Sequence, residues 1–489
     1  MKTTHTLKSK RILWLIGLFL ITLLVVMRPL LVEGSTIRVP EDYSSIQDAV
    51  DHASPGDIII IRAGVYSGFT VSKSLVILGE SNQSVIIRGS VTVTASNVRL
   101  GSLRVELTED SDSTTALIVL GNNTVIVGII IESYKHSIQL GNVNKRVYGT
   151  LVEYSRIVSE DVGVYGSCSD LSVFYSEIIS KKQAVVGCGI LDLEFNSIVG
   201  DTAVSTSFWY RGSLVKYNNI TGKTTGLYID GSENTISGNR ITSDSTGILL
   251  TGILLKGSQN IVENNIISGS NSGILVTSSN NVIIRNIIES GGHAIDLNGN
   301  GNLITNNTLS GSRGVHANGA YGNTISFNFV DKTSNIGVYL SKYTGDNFVY
   351  GNTFWYCYNY EGVDESGKNQ WYLENETYKL GNYWSCNKAP DNNGDGITDE
   401  PYHIATTTNL EIVDKYPLAN PIVTPNQLTP TSTWITQTSS EYTSSTETQH
   451  ETGTPSGISI ITVTAIVVGI ILVIGLILLY MRGRGIRYF

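Results

Sequence analysis

The sequence predicts an all-β chain wound into a right-handed parallel β-helix (solenoid), with an N-terminal capping helix and a C-terminal transmembrane helix. Three observations predict it: a phrase returning about every 21 residues, an amphipathic-helix signature upstream of it, and an uncharged apolar run of 23 residues at the far end. Composition agrees with strands and tight turns. Glycine is abundant (49 residues), proline scarce (10), and tyrosine outnumbers phenylalanine 25 to 10, a balance that suits short strands joined by turns. A chain of 489 residues ordinarily divides into about three domains, but a solenoid grows in one dimension and escapes that arithmetic.

The repeat carries the most weight. From Thr150 onward one phrase recurs: an Asn, a branched apolar residue two places on, a second Asn five places on, and an apolar residue two places later. N-T-I-S-G-N-R-I from Asn234, N-V-I-I-R-N-I-I from Asn281 and N-T-I-S-F-N-F-V from Asn323 are copies. The second polar position falls at Ser155, Ser176, Asn196, Asn218, Asn239, Asn265, Asn286, Asn307, Asn328 and Asn352, in steps of 21, 20, 22, 21, 26, 21, 21, 21 and 24. The step of 26 contains a duplication, in which the five residues from Thr246 are repeated from Thr251. A small residue followed by an apolar one then recurs at Gly226-Leu227, Gly273-Ile274, Ala294-Ile295, Gly314-Val315 and Gly337-Val338.

Each period therefore holds several short strands whose alternate side chains point inward, and coils stacked at ~4.8 Å build columns of Ile, Val and Leu. Asn stacked at one turn position hydrogen-bonds amide to amide along the axis and tolerates left-handed backbone, so its recurrence needs no ligand. A leucine-rich repeat needs L-x-x-L-x-L spacing with helical returns, and a propeller needs about twice the period. Solenoid ends expose strand edges and require caps. Ser44 or Ser45 can start a helix with Ile46, Ala49, Val50 and Ala53 on one face, and Pro55-Gly56 stops it.

The two ends of the chain predict its address. Residues 1–34 place Lys8, Lys10 and Arg11 before an apolar run from Ile12 to Val26 and a small-residue exit, the pattern of a secretory signal or an uncleaved N-terminal anchor. Ile458–Tyr480 carries no charge over 23 residues, enough to cross ~30 Å of hydrocarbon. Arg482, Arg484 and Arg487 follow it, holding residues 481–489 in the cytoplasm and placing the preceding body outside the cell membrane. The Ser/Thr-rich stretch 421–457 reads as an extended stalk. Between these ends the expected divisions are 35–352 for the β-helix with its N-terminal cap and 353–420 for a C-terminal cap. Acceptor sequences for glycosylation occur at Asn82, Asn122, Asn219, Asn306 and Asn375, although Asn-rich turns also generate them by chance.

Leaving out residues 1–34 and 481–489 removes eight of 33 basic and one of 42 acidic residues, so the body carries 25 basic against 41 acidic, a formal −16. That balance excludes nucleic acid as a partner, because phosphate binding needs a basic footprint. Polysaccharide or other envelope components fit an acidic, Asn-, Ser- and Thr-rich exported surface.

S-I-Q-D-A-V-D-H-A-S-P-G-D-I-I-I-I-R-A-G-V-Y from Ser45, followed by Ser74-Leu75-Val76-Ile77-Leu78-Gly79, resembles the opening of pectin-lyase-like right-handed β-helix proteins. The copies after Thr150 resemble the NosD-type β-helix. G-N-Y-W-S from Gly381, D-N-N-G-D-G-I-T-D-E-P-Y from Asp391 and D-K-Y-P-L from Asp414 resemble the closing segment of archaeal NosD-like surface proteins. The resemblance spans roughly residues 35–420. It implies the fold more firmly than the function, since such proteins include polysaccharide lyases, hydrolases, carbohydrate-binding surface proteins and a periplasmic copper-delivery factor. The copper role fits poorly: Met1, Met27 and Met481 lie in or beside the end segments, which leaves the body without thioether ligands.

Four sets of residues are candidates for chemistry. Asp391, Asn393, Asp395, Asp399 and Glu400, with the Ile397 carbonyl, follow calcium-loop spacing around Gly396, though Tyr402 stands where a bidentate Glu belongs; the alternative is an acidic turn without metal. Aligning the small-apolar phrases stacks Tyr228, Leu254, Leu275, Asp296, His316 and Tyr339 outward on successive rungs. Asp296 and His316 then become neighbours able to serve as a general acid/base pair, with Tyr228, Tyr339, Asn298, Asn318 and Asp230 as carbohydrate contacts; a surface pair formed by accident of register is the plainer account. Lastly, Cys168 and Cys188 lie one coil apart and Cys357 and Cys386 share the C-terminal cap, as two disulfides or as buried thiols. The leading expectation is a membrane-anchored extracellular β-helix that binds polysaccharide or serves the envelope structurally, and the alternative is a surface-tethered polysaccharide lyase or glycoside hydrolase.

Overall fold

Every turn of the chain lays down three short strands, and strands of successive turns pair in parallel to build three walls. The computed structural model describes residues 34–422 apart from 112, 188, 207–210, 245, 252–258 and 357. In them the chain forms a right-handed parallel solenoid of about 15 turns. The first wall holds 15 strands, from Thr36–Val39 to Phe348–Tyr350. The second runs from Gly64–Ser67 to Tyr383–Trp384 and the third from Thr70–Val71 to Tyr360–Asp364.

Alternation explains the core. On the second wall Ile157, Ile178, Ile198, Ile220, Ile241, Ile267, Ile288, Leu309, Val330 and Phe354 occupy one register position on successive rungs. All of them are buried, each contributing on the order of 1.5–3 kcal/mol by leaving water. The small residue of the recurring phrase sits where the chain bends from the second wall into the third. A Cβ on Gly314 would lie 2.6 Å from the Gly337 carbonyl oxygen and 2.7 Å from Val330, so a larger side chain would push the rungs apart.

The polar positions form two buried amide ladders. Asn196, Asn218, Asn239, Asn265, Asn286, Asn307, Asn328 and Asn352 each donate Nδ2 to the Oδ1 of the next rung's Asn at 2.9–3.0 Å, ending on Asn382. That same Oδ1 also accepts the backbone N–H of the preceding Asn. A parallel ladder runs through Asn234, Asn260, Asn281, Asn302, Asn323, Asn347 and Asn369. All the amides of a ladder point the same way, so the last one needs an acceptor with nothing further to donate. Each ladder ends on a buried carboxylate that also receives a tryptophan N–H: Asp414 takes Asn382 and Trp384, and Asp364 takes Asn369 and Trp371.

At the other end the helix Ile46–His52 closes the first coil. Ser45 is its N-cap, accepting the Asp48 N–H, and Ile46, Ala49 and Val50 face the core. Lys73 Nζ donates to the carbonyls of Val50, Asp51 and Ala53 at its C-terminus, satisfying groups the helix leaves open. It is the one helix among the described residues, and none there is long and apolar enough to cross a membrane. The expected signal or anchor, most of the stalk, the transmembrane helix and the basic tail lie outside the described residues.

Parallel pairing does not stop at residue 352 as expected. Thr353–Trp355 and Tyr360–Asp364 add to the second and third walls, and Tyr383–Trp384 pairs on Thr353–Phe354. Residues 365–382, which include the hairpin Leu373–Glu374 with Lys379–Leu380, lengthen the last step to 30 residues and hide the final rung from the period. The C-terminal cap proper follows Trp384.

Candidate functional site

The outward row of the third wall is the place where chemistry-bearing side chains meet. Register places Tyr228, Leu249, Leu275, Asp296, His316 and Tyr339 on successive rungs. Leu249, in the first copy of the duplicated T-G-I-L-L, takes the rung expected for Leu254. Leu254 itself lies outside the described residues.

Asp296 and His316 are indeed paired: His316 Nδ1 lies 3.1 Å from Asp296 Oδ1, and the two side chains are 23% and 21% exposed. A carboxylate only accepts, so Nδ1–H donates and Nε2 is left for an outside partner. The His316 ring is flanked on both sides, by His293 at 4.4 Å between centroids and by Tyr339 at 5.4 Å. Arg313 sits over the Tyr339 ring, its Cζ 4.6 Å from the centroid.

His293 and Arg313 were not foreseen. They stand immediately before the small residue in G-G-H-A-I-D and G-S-R-G-V-H, one rung apart in register. The strand begins at that residue, so it faces outward beside the row predicted from sequence. A tight turn fixes it there: a Cβ on Gly292 would lie 2.1 Å from the Asn271 carbonyl oxygen, so only glycine lets this rung settle on the one before. Burial, together with the His316 and Arg313 charges, lowers the proton affinity of His293, and Asp296 opposes them. Its Nδ1 is buried with no hydrogen-bond partner. Among the described residues His293, Asp296 and His316 are the one group of three His, Cys, Asp or Glu side chains whose ligand atoms all lie within 4.8 Å of one another.

The other expected contacts divide. Tyr339 belongs to the cluster, whereas Tyr228 lies three rungs from Asp296, ~14 Å at ~4.8 Å per rung. Asn298 is half-buried, and Asn318 is exposed and accepts the Ser341 hydroxyl at 2.9 Å. Asp230 does not line the surface. It is only 5% exposed, and burial pushes its carboxyl above the usual range.

The acidic loop in the C-terminal cap is closed by its own carboxylates. Asp391 accepts the N–H groups of Gly394, Asp395 and Gly396, Asn393 that of Asp395, and Asp395 that of Ile397. Asp399 accepts from Asn392, and Glu400 is exposed. Of the cysteines, Cys168 is half-buried and Cys386 exposed; Cys188 and Cys357 lie outside the described residues, and both pairings with them. Among the glycosylation acceptors Asn219 and Asn375 are exposed, while Asn82 commits its amide to the Gly128 carbonyl, and Asn122 and Asn306 are half-buried.

Residues 249–389, which contain the cluster, match the family model described as periplasmic copper-binding protein (NosD), and residues 203–286 match that of the right handed beta helix region. The chain is a NosD-like right-handed β-helix protein. No curated protein matches this NosD-like chain. Among solved structures it resembles the tailspike protein of E. coli bacteriophage HK620, in complex with pentasaccharide, at 12% identity and TM-score 0.50 over 66% of this chain and 74% of that one. A PL6 alginate lyase complex with trisaccharide aligns at 13% identity and TM-score 0.47 over 79% and 92%. The PL6 family alginate lyase AlyGC aligns at 16% and 0.42 over 71% of this chain, which spans only 54% of that enzyme.

Proposed function

We propose that this NosD-like protein binds polysaccharide along the outward row of its third wall, with the Arg313, His316 and Tyr339 cluster as an anchoring point. The observation that carries this reading is the composite surface itself. An aromatic face, a guanidinium, two imidazoles and a carboxylate stand together on adjacent rungs, a combination of stacking and hydrogen-bonding groups that suits a sugar. The tailspike that shares the fold is itself in complex with a pentasaccharide. In this reading the solenoid stands outside the cell, held by residues 458–480, and residues 391–400 bind Ca2+ that locks the C-terminal cap.

The Asp296–His316 pair favours a second reading, a surface-tethered lyase or hydrolase using His316 as general acid or base. Incubating the full-length protein with uronate and neutral polysaccharides, with and without Ca2+, separates the two. Retention of an intact polymer is expected. Release of oligosaccharides that stops in Asp296→Asn would establish the enzyme instead.

A further inference from the structure

We propose that His293, Asp296 and His316 form a binding site for a divalent borderline-soft metal ion, of which Zn2+ is the natural probe. Two imidazoles and one carboxylate are a donor set that suits Zn2+, and no sulfur donor stands among them to favour Cu(I). The geometry is close to what such an ion needs. Ligand atoms at ~2.0–2.1 Å around a tetrahedral ion lie ~3.4 Å from one another. Asp296 Oδ1 and His316 Nδ1 are already 3.1 Å apart, so an ion between them takes the place of one proton. The remaining atoms, all within 4.8 Å, close by side-chain rotation that these partly exposed groups allow.

A second, independent observation points the same way. His293 keeps Nδ1 buried and without a partner, although a buried polar atom ordinarily finds one. The site is also rigidly mounted, since His293 and Asp296 stand on one strand and His316 on the next rung in register. Three protein ligands leave the fourth position open, as in sites that take water or an oxygen ligand. Arg313 is the neighbouring cation. Its charge acts on His293 and weakens the binding of any positive ion there, which makes the arginine a diagnostic.

Isothermal titration of the full-length protein with Zn2+, Ni2+ and Ca2+ tests the site without any glycan, so its outcome stands apart from the polysaccharide reading. Zn2+ should bind with one-to-one stoichiometry. His316→Ala and Asp296→Asn should each weaken it at least tenfold, with the melting curve unchanged in the absence of metal. Arg313→Gln should tighten it several-fold, because a like charge has been removed. A general loss of folding would weaken every variant, whereas only an ion at this cluster gains from Arg313→Gln. Zn2+ binding indifferent to all three substitutions, no Zn2+ binding at all, binding of Ca2+ in place of Zn2+ that His316→Ala and Asp296→Asn abolish, or a preference of this cluster for Cu(I) under reducing conditions would overturn the proposal.

Discussion

Between Arg88 and Glu177 the rungs are tied on the outside of the second wall by alternating guanidinium and carboxylate groups, whereas from Asn196 to Asn382 they are tied inside by amides. The outer row runs Arg88–Glu106–Arg104–Glu132–Arg156–Glu177, with contacts of 2.8–3.9 Å between side chains mostly open to water. Exposed pairs of this kind contribute little, up to about 1 kcal/mol each, and salt screens them. The inner ladders are dry, so each amide that is lost leaves buried partners unsatisfied. Where the two regimes meet, Ser155 and Ser176 stand in ladder positions, passing a hydroxyl acceptor to the chain before but no amide to the chain after. There an exposed stack of Tyr154, Tyr175, Phe195 and Tyr217, with centroids 5.0–5.2 Å apart, takes over the turn. These four residues hold left-handed backbone, φ between 49 and 58°, which costs an aromatic residue about 1–2 kcal/mol and is offset by stacking. One geometry of rungs is thus held by charge, by rings or by amides according to what the turn position supplies.

The sharpest way to break this contrast is Asn286→Ala. It strands the Asn265 N–H, takes one of the three acceptors from Asn265 Nδ2, which keeps the Ile236 and Glu263 carbonyls, and removes the amide that donates to Asn307, Val262 and Ile284. A loss of about 3–5 kcal/mol is expected, read as a lowered thermal midpoint that 1 M salt does not change.

Next in size is the pH response of the ladder's end. Burial pushes the Asp414 carboxyl up from 3.8 to about 6, against the donors of Asn382, Trp384 and Tyr416. The folded form therefore holds the proton more tightly than the unfolded chain does. Its contribution is full below about pH 4 and is lost as pH rises through about 6, a span worth about 3 kcal/mol. Melts between pH 4 and 7.5 should show stability falling with pH in this window, and Asp414→Asn should flatten that trend.

A smaller effect is expected at the junction. Tyr175→Ala removes two stacked contacts and should cost about 2 kcal/mol, whereas Tyr175→Gly should recover part of this by relieving the left-handed backbone; chemical denaturation of both variants checks the difference. Smallest is Glu132→Gln, which loosens Arg104 and Arg156 together. It should cost under about 1 kcal/mol in dilute buffer and nothing measurable in 1 M salt.

Much of this was legible in the residues. The 21-residue steps are the register of the second wall, the Asn positions are the ladder, and Ser45 with Ile46, Ala49 and Val50 is the capping helix. Local chemistry repeated at a fixed interval carries that information. What the interval does not reach was not legible. Asn382 and Asp414 finish the ladder 30 and 32 residues on, past an inserted hairpin. Duplication of T-G-I-L-L offers two equivalent fits, and which copy joins the wall is a matter of packing. At the site, Asp296 and His316 followed from the period, but His293 and Arg313 depend on how the chain bends just before the small residue. Asp230, two places after Tyr228 as Asn298 is after Asp296, is buried all the same.

The claim that the third wall is the binding face is tested most directly by retention of a polysaccharide panel on the full-length protein, comparing Tyr339→Ala and Arg313→Ala with Glu132→Gln on the second wall. Retention should fall at least tenfold in the first two and stay unchanged in the third. Equal retention by all three, or no retention of any polymer by the unaltered protein, would contradict it.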